Sequence, residues 1–340
     1  MEKDLKNDIK IFYIKENILC FIYSMQHKIQ LLLLKGCQDK NIEKQVITPS
    51  VVRLSNKEQN NFREQGDLMK IRGFITNFQN IDKLKKLDLT IMFGHDTYNI
   101  PFSFLIKYNN LRKNFFKNYE CEISDDYFIE FPHDILLKHK IPLISLTFSS
   151  FTIFIKELDE NMIVDMVLDT YILDVDTRKE AAIIEKMYNI KSVQEFKIHL
   201  MGSTYKNEPC TLCIYESDIT PKFLTQGIII NYPKHKIVNL LITLNDTIKC
   251  LDYDHNLINI YGEDIGDNLS YFGFNIEENF ISNNQIGCIN MSILNKVNVK
   301  IKMLNNDEEP ILVEHKPLIM YTIAWNIINY KMGLCGIIYV

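Results

Sequence analysis

Residues 171–196 read YILDVDTRKEAAIIEKMYNIKSVQEF and differ from everything around them. Charges crowd the start, from Asp174 through Asp176, Arg178, Lys179 and Glu180. Thr177 and Glu180 have the spacing of a capping box, in which the threonine oxygen accepts from the third backbone N–H and the glutamate reaches back. Ala181, Ala182, Ile183, Ile184, Met187 and Tyr188 then supply an apolar face at helical spacing. The pattern predicts a helix inside a linker over 174–199, capped by Thr177 and Glu180.

Outside this stretch the chain alternates apolar and polar residues. In KLDLTIMF, Leu87, Leu89, Ile91 and Phe93 point one way. ISLTF (144–148), NLLITL (239–244) and KVNVKIKM (296–303) repeat the pattern. Period two over five to eight residues means a strand with one buried face. Short turns such as LNDT, YGED and LNND separate such runs, and intervening helices are mostly missing, so the sheets are expected to be antiparallel. The helix divides the chain into about 175 residues before and about 150 after, each enough for one β-sandwich. Residues 1–28 read as a separate amino-terminal arm.

Composition narrows the functional classes. With 46% hydrophobic and 24% charged residues in 340, the chain is globular in character rather than disordered. A net charge of −5 lacks the basic excess of a nucleic-acid binder, so no specific nucleic-acid partner is expected. Eight scattered cysteines show no disulfide framework and read as reduced thiols. The longest uncharged stretch, 141–155, is too short for a membrane-spanning helix. A soluble protein is the expectation.

No catalytic, cofactor-binding or metal site emerges. Cys210 and Cys213 make half of a zinc site with no second pair. His133 and His139 are six apart, an unusual spacing for a metal, and no His-x-His occurs. Gly94-His95-Asp96 follows a strand and reads as a tight turn. Three Asn-x-Ser/Thr triplets, at Asn245, Asn268 and Asn290, match the glycosylation pattern, which is common by chance. The chemistry expected is recognition and assembly, with no enzyme activity and no cofactor.

The order of the segments carries a resemblance. IQLLLLKGCQDKNI (29–42), TPSVVRLSNKEQNNF (48–62), Gln65-Gly66-Asp67-Leu68, LDLTIMFGHDTYNI (87–100) and the apolar stretch 128–155 come first. YILDVDTRKEAAIIEKMY, GIIINYPKHKIVNLLITLND, the segment 268–303 and the ending YTIAWNIINYKMGLCGIIYV follow. Taken in this order they resemble the double-jelly-roll major capsid proteins of the nucleocytoplasmic large DNA viruses. Positions 101–126 have no clear counterpart.

The resemblance implies an all-β fold of two consecutive eight-stranded antiparallel jelly rolls, at 29–173 and 200–340, joined by the helix-containing linker. It implies a capsid subunit that self-assembles as a pseudo-hexameric homotrimer into an icosahedral shell. The implied partners are itself, other capsid or minor capsid proteins and an internal viral membrane; the implied location is the virion, and the host cytoplasm during assembly. A minor capsid or scaffold paralogue is the alternative. Candidate assembly contacts are Phe12, Tyr13 and Phe21 in the arm and the segment Trp325–Tyr330, for which core packing is an equal reading. A rival class is a carbohydrate-binding jelly roll displaying Tyr98, Tyr108 and Tyr119. Slow long-range strand pairing also predicts dependence on a folding helper.

Overall fold

A computed structural model of the chain describes residues 45–56, 62, 66–115, 126–133, 135–183, 185–205, 211–266, 268–274, 287–305 and 317–338. The arm with Phe12, Tyr13 and Phe21 lies outside these residues, as do Tyr119 and Cys210. The described chain divides into two compact units. The first runs to His133, resumes over Leu137–Tyr188 and takes back Ile328–Ile337; the second is built chiefly from Asn189–Ile327.

In the first unit the strands are β1 (Gln45–Arg53), β2 (Leu68–Asn77), β3 (Asp88–Phe93), β4 (Asp96–Pro101), β5 (Asp126–Glu130), β6 (Phe151–Ile155) and β7 (Val164–Leu173). Helices α1 (Ile81–Leu84), α2 (Phe102–Phe115) and α3 (Val175–Ile183) interrupt or follow them. One sheet has the order β1-β7-β2-β5, the other β4-β3-β6. All pairs are antiparallel, and β1 lies along β7 from Gln45↔Leu173 to Arg53↔Asp165. Alternation does its expected work in β3, where Leu89, Ile91 and Phe93 are fully buried. The β3–β4 hairpin closes on Gly94, whose φ of 65° suits a residue without a Cβ. Phenylalanines fill this core: Phe74 meets Phe102 edge-on at 5.3 Å, and Phe93 lies 5.2 Å from Phe151.

One expectation fails here for an identifiable reason, and one unassigned stretch acquires an element. ISLTF is not a strand: Leu143–Ser145 form a 3-10 turn after Pro142, and the Ser145 hydroxyl donates to the Ala181 carbonyl at 2.7 Å. The strand begins only at Phe151. The unassigned stretch after residue 101 contains α2, which protects a sheet edge. Its buried Asn109 donates to the Phe128 carbonyl at 2.9 Å and accepts from the Glu130 N–H at 3.1 Å, as a neighbouring strand of β5 would.

In the second unit the strands are β8 (Lys186–Ile198), β9 (Leu200–Tyr205), β10 (Thr211–Ile219), β11 (Leu224–Ile230), β12 (Ile237–Leu244), β13 (Ile248–Asp254), β14 (Glu263–Gly266), β15 (Leu269–Gly273), β16 (Ile289–Asn290), β17 (Val297–Asn305) and β18 (Leu318–Lys331), with helix α4 at His255–Tyr261. One sheet runs β13-β12-β17-β10-β9; the other runs β14-β15-β11-β18, with β8 beside β18 and β16 beside β11. Its core is mainly aliphatic, with Ile228, Ile242, Val299, Ile301 and Met320 around Phe272. NLLITL and KVNVKIKM are β12 and β17, paired from Asn239↔Lys302 to Leu244↔Val297.

The two units repeat one connection scheme. In the first, β1 lies beside β7, β7 beside β2, and β2 beside β5; in the second, β8, β18, β11 and β15 neighbour one another in the same way. The opposing sheets also correspond, β6-β3-β4 to β17-β12-β13. Even the irregularities coincide. The register shifts between Ile71 and Gly73 in β2, and between Thr225 and Gly227 in β11. A Cβ on Gly73 would fall 2.3 Å from the Ile129 carbonyl oxygen, and one on Gly227 would fall 2.5 Å from that of Phe272. At both bulges a neighbouring backbone approaches too closely for a side chain. The expectation of two consecutive antiparallel jelly rolls therefore holds.

The stretch read as one linker divides differently. The helix ends at Ile183, and Met187 and Tyr188, expected on its apolar face, belong to the 13-residue strand β8. The mixed composition after Ile183 hides this strand, because Lys191 and Ser192 are buried in it beside Ile190 and Val193.

Candidate assembly surfaces

The linker helix is capped by Asp174 rather than by Thr177. Asp174 Oδ1 accepts from the backbone N–H groups of Asp176 and Thr177 at 3.1 and 3.0 Å. The Thr177 hydroxyl, already inside the helix, donates to Asp174 Oδ2 at 2.7 Å. An aspartate is as good a cap as a threonine and adds a negative charge at the positive end of the helix. Glu180 therefore lies in the middle of α3 and not at the third position of a capping box.

A second set of contacts fastens α3 to its unit. Asp67, 4% exposed, accepts the Leu173 N–H at 2.8 Å through Oδ2 and pairs with Arg178 Nε at 3.0 Å through Oδ1. The Gly-Asp-Leu turn before β2 and the Leu-Asp-x-Asp-x-Arg run after β7 thus meet in one carboxylate. Ser145 holds the other end of the helix through Ala181. Between α3 and the loop at 140–145 lies a cleft of about 440 Å³, walled by Leu68, Pro142, Leu173, Ala181 and Tyr188 with Lys140 and Lys186.

Trp325 and Tyr330 are not surface contacts. They are 3% and 1% exposed, so core packing is the correct reading for both. In the second unit the ammonium of buried Lys191 lies 4.9 Å from the centre of the Trp325 ring. In the first, Tyr330 stands edge-on to Phe93, and its hydroxyl is 3.2 Å from His139 Nε2. The His139 ring stacks on Tyr188 at 3.9 Å. Burial pushes the His139 pKa down to about 3, reinforced by His133, while burial raises that of Tyr330.

The carboxyl-terminal hairpin explains the Met-Gly-x-x-Gly run. Strand β19 (Leu334–Ile337) pairs with Ile328–Lys331 of β18 across Met332 and Gly333, which have φ of 52° and 79°. The hairpin docks on the first unit through its backbone. Phe148 N–H donates to the Gly333 carbonyl, Cys335 N–H to the Ser149 hydroxyl and Ile337 N–H to Asp96 Oδ2, at 2.8–2.9 Å. Phe148, Met332 and Leu334 lie together there and are more than half exposed. A Cβ on Gly333 would meet the Phe148 ring at 2.8 Å. Gly333→Ala should therefore cost about 1–2 kcal/mol for the left-handed backbone, with a further penalty from this contact. A urea titration that leaves the midpoint unchanged would refute this origin of the turn.

Other sequence candidates have structural roles. Tyr98 and Tyr108 are buried, so neither offers the exposed platform a sugar would need. Cys213 sits in the second core, where burial raises its pKa. Cys213, Cys250, Cys288 and Cys335 are free thiols. His133 turns both ring nitrogens toward backbone carbonyls, those of Leu137 and Ile71. Among the described residues no group of three His, Cys, Asp or Glu side chains converges on a point.

Two units with the same sheet order, each led by a strand lying beside its last, define the chain as a double jelly roll. No family model matches it, and no curated protein does. Solved structures do match. VP54 of PBCV-1, in a crystal structure fitted into a cryo-EM reconstruction of the virophage Sputnik, gives a TM-score of 0.62 at 11% identity, over 86% of this chain and 97% of that one. A quasi-atomic model of the PBCV-1 virus capsid gives 0.57 at 11% identity over the same shares. The likeness is one of fold, and it agrees with the resemblance carried by the ordered segments.

Proposed function

We propose that the chain is a structural subunit of the icosahedral capsid of a large DNA virus. The observation that carries this reading is the match to VP54 through both rolls, which leaves only 3% of that chain uncovered. The Gly-Asp-Leu and Leu-Asp-x-Asp-x-Arg segments support it, because they meet at Asp67 in this chain. Three copies, each with two rolls, give a trimer of pseudo-hexagonal outline. The mechanism is burial of surface between subunits, with no bond made or broken; stable interfaces of this kind bury about 2,000 Å² or more. The virion is the resulting location, with assembly in the host cytoplasm alongside other capsid proteins and an internal membrane.

Light scattering behind a sizing column tests the reading. The expected species has three times the 40.0 kDa chain mass. A monomer at concentrations well above micromolar would overturn the trimer and leave a minor or scaffold role as the surviving version.

A further inference from the structure

The turn between β18 and β19 carries an unusual residue for its backbone. Met332 and Gly333 both have positive φ, 52° and 79°, in a two-residue hairpin turn for which Asn-Gly is the favoured pair. Methionine has no short polar group to bond locally in the left-handed region, and here it is 73% exposed. Phe148, 77% exposed, lies against Gly333, and Leu334 follows at 54%. Three large apolar side chains thus stand on one tip of the first unit. The backbone beneath them is already paired. The Gly333 carbonyl accepts the Phe148 N–H, and the Ser149 hydroxyl accepts the Cys335 N–H. Removing water from the tip therefore dehydrates apolar surface while these polar groups keep their partners. Thr147, Ser149 and Lys331 border the patch. Of the carboxylates beside it, Asp96 accepts the Ile337 N–H and Glu185 lies 3.4 Å from Lys331.

Size separates the possible partners. Fully covered, three such side chains amount to roughly 400–500 Å², whereas a stable protein interface takes about 800 Å² from each partner. A bilayer needs no matching surface, only a rigid apolar tip, and this tip is held in place before it meets one. We propose that Phe148, Met332 and Leu334 form a membrane-contacting tip that enters the headgroup–acyl boundary of a phospholipid bilayer. The Lys331 ammonium stays at the level of the lipid phosphates while its stem lies along the apolar surface. This inference rests on the capsid reading for the membrane it meets, the one internal to the shell.

Flotation of the full chain with phosphatidylcholine vesicles containing a minority of phosphatidylserine tests the tip. The parent should rise with the vesicles. Met332→Asn places at the turn a residue that tolerates positive φ, so its urea midpoint should not fall. Its vesicle partition should drop about tenfold, from the loss of one buried apolar side chain. Phe78→Ser is the control: Phe78 is 66% exposed, but it lies in the β2–β3 connection, which enters β3 at the end opposite Gly94. That variant should float like the parent. A parent that stays below the vesicles, undiminished flotation of Met332→Asn, or an equal loss in Phe78→Ser would each overturn the proposal. So would a lower native mass of Met332→Asn without vesicles, because the patch would then join copies of the chain. The capsid reading is tested separately by light scattering: a trimer that ignores vesicles refutes only the tip, and a monomer that floats refutes only the trimer.

Discussion

Asp67→Ala should lower the unfolding free energy by about 2–3 kcal/mol, a large effect for one small side chain. The loss comes mainly from one bond. Asp67 Oδ2 is the acceptor for the buried Leu173 N–H, and a buried donor left without a partner costs about 1–3 kcal/mol. The ion pair adds less, since the Arg178 side chain is 59% exposed and water takes over its solvation. Arg178→Ala should therefore cost under about 1 kcal/mol, and Asp67→Asn, which keeps an acceptor, should fall between the two. Urea midpoints of the three variants order these terms. If Arg178→Ala proves as damaging as Asp67→Ala, the ion pair dominates and the bond to Leu173 is the lesser contribution.

The second large effect is an acid limb. His139 titrates near 3 in the folded chain and near 6.5 when unfolded, because burial disfavours the charged ring. Between these values the unfolded chain binds a proton that the folded chain does not. Stability therefore rises with pH there, and the contribution is complete above about 6.5. As the pH falls toward 3, it is lost at about 1.4 kcal/mol per pH unit. His139→Phe keeps a flat ring against Tyr188 but cannot bind a proton. It forfeits the Tyr330 contact at every pH, a constant offset of about 1 kcal/mol. The variant should overtake the parent as the medium is acidified through about pH 6, and lead it by roughly 2 kcal/mol at about pH 4.5. Parallel curves for the two proteins would remove His139 as the cause.

Much of this fold was legible because one sheet face is buried. Leu89, Ile91 and Phe93, or Val297, Val299 and Ile301, leave little choice of element. Strand β8 was not legible, because four consecutive buried residues, Lys191 and Ser192 among them, erase the alternation. Helix α2 was missed for a related reason: Phe102, Phe104, Leu105, Ile106 and Tyr108 are all buried, and in this apolar run only Ser103 and Lys107 mark a narrow polar stripe. The cap moved from Thr177 to Asp174 because both residues fit a helix start, and only the geometry after Leu173 chooses between them. The aromatics of the carboxyl terminus illustrate a different limit. Trp325 and Tyr330 suit a contact surface and a core equally well until their neighbours are known. Asp67 stands in a recognisable turn, but its partners lie 106 and 111 positions away, beyond any local pattern.

The hairpin at 328–337 also imposes an order on biosynthesis. Residues 328–337 complete the first unit, yet they leave the ribosome only after Asn189–Ile327 of the second. Until they emerge, Asp96 and Ser149 wait for the backbone of Ile337 and Cys335, and the Phe93 ring waits for Tyr330. Domains usually fold from the amino terminus as they emerge. In this chain the unit made first stays unfinished while the second is synthesised, so any factor that shields nascent sheet would act on it throughout that interval.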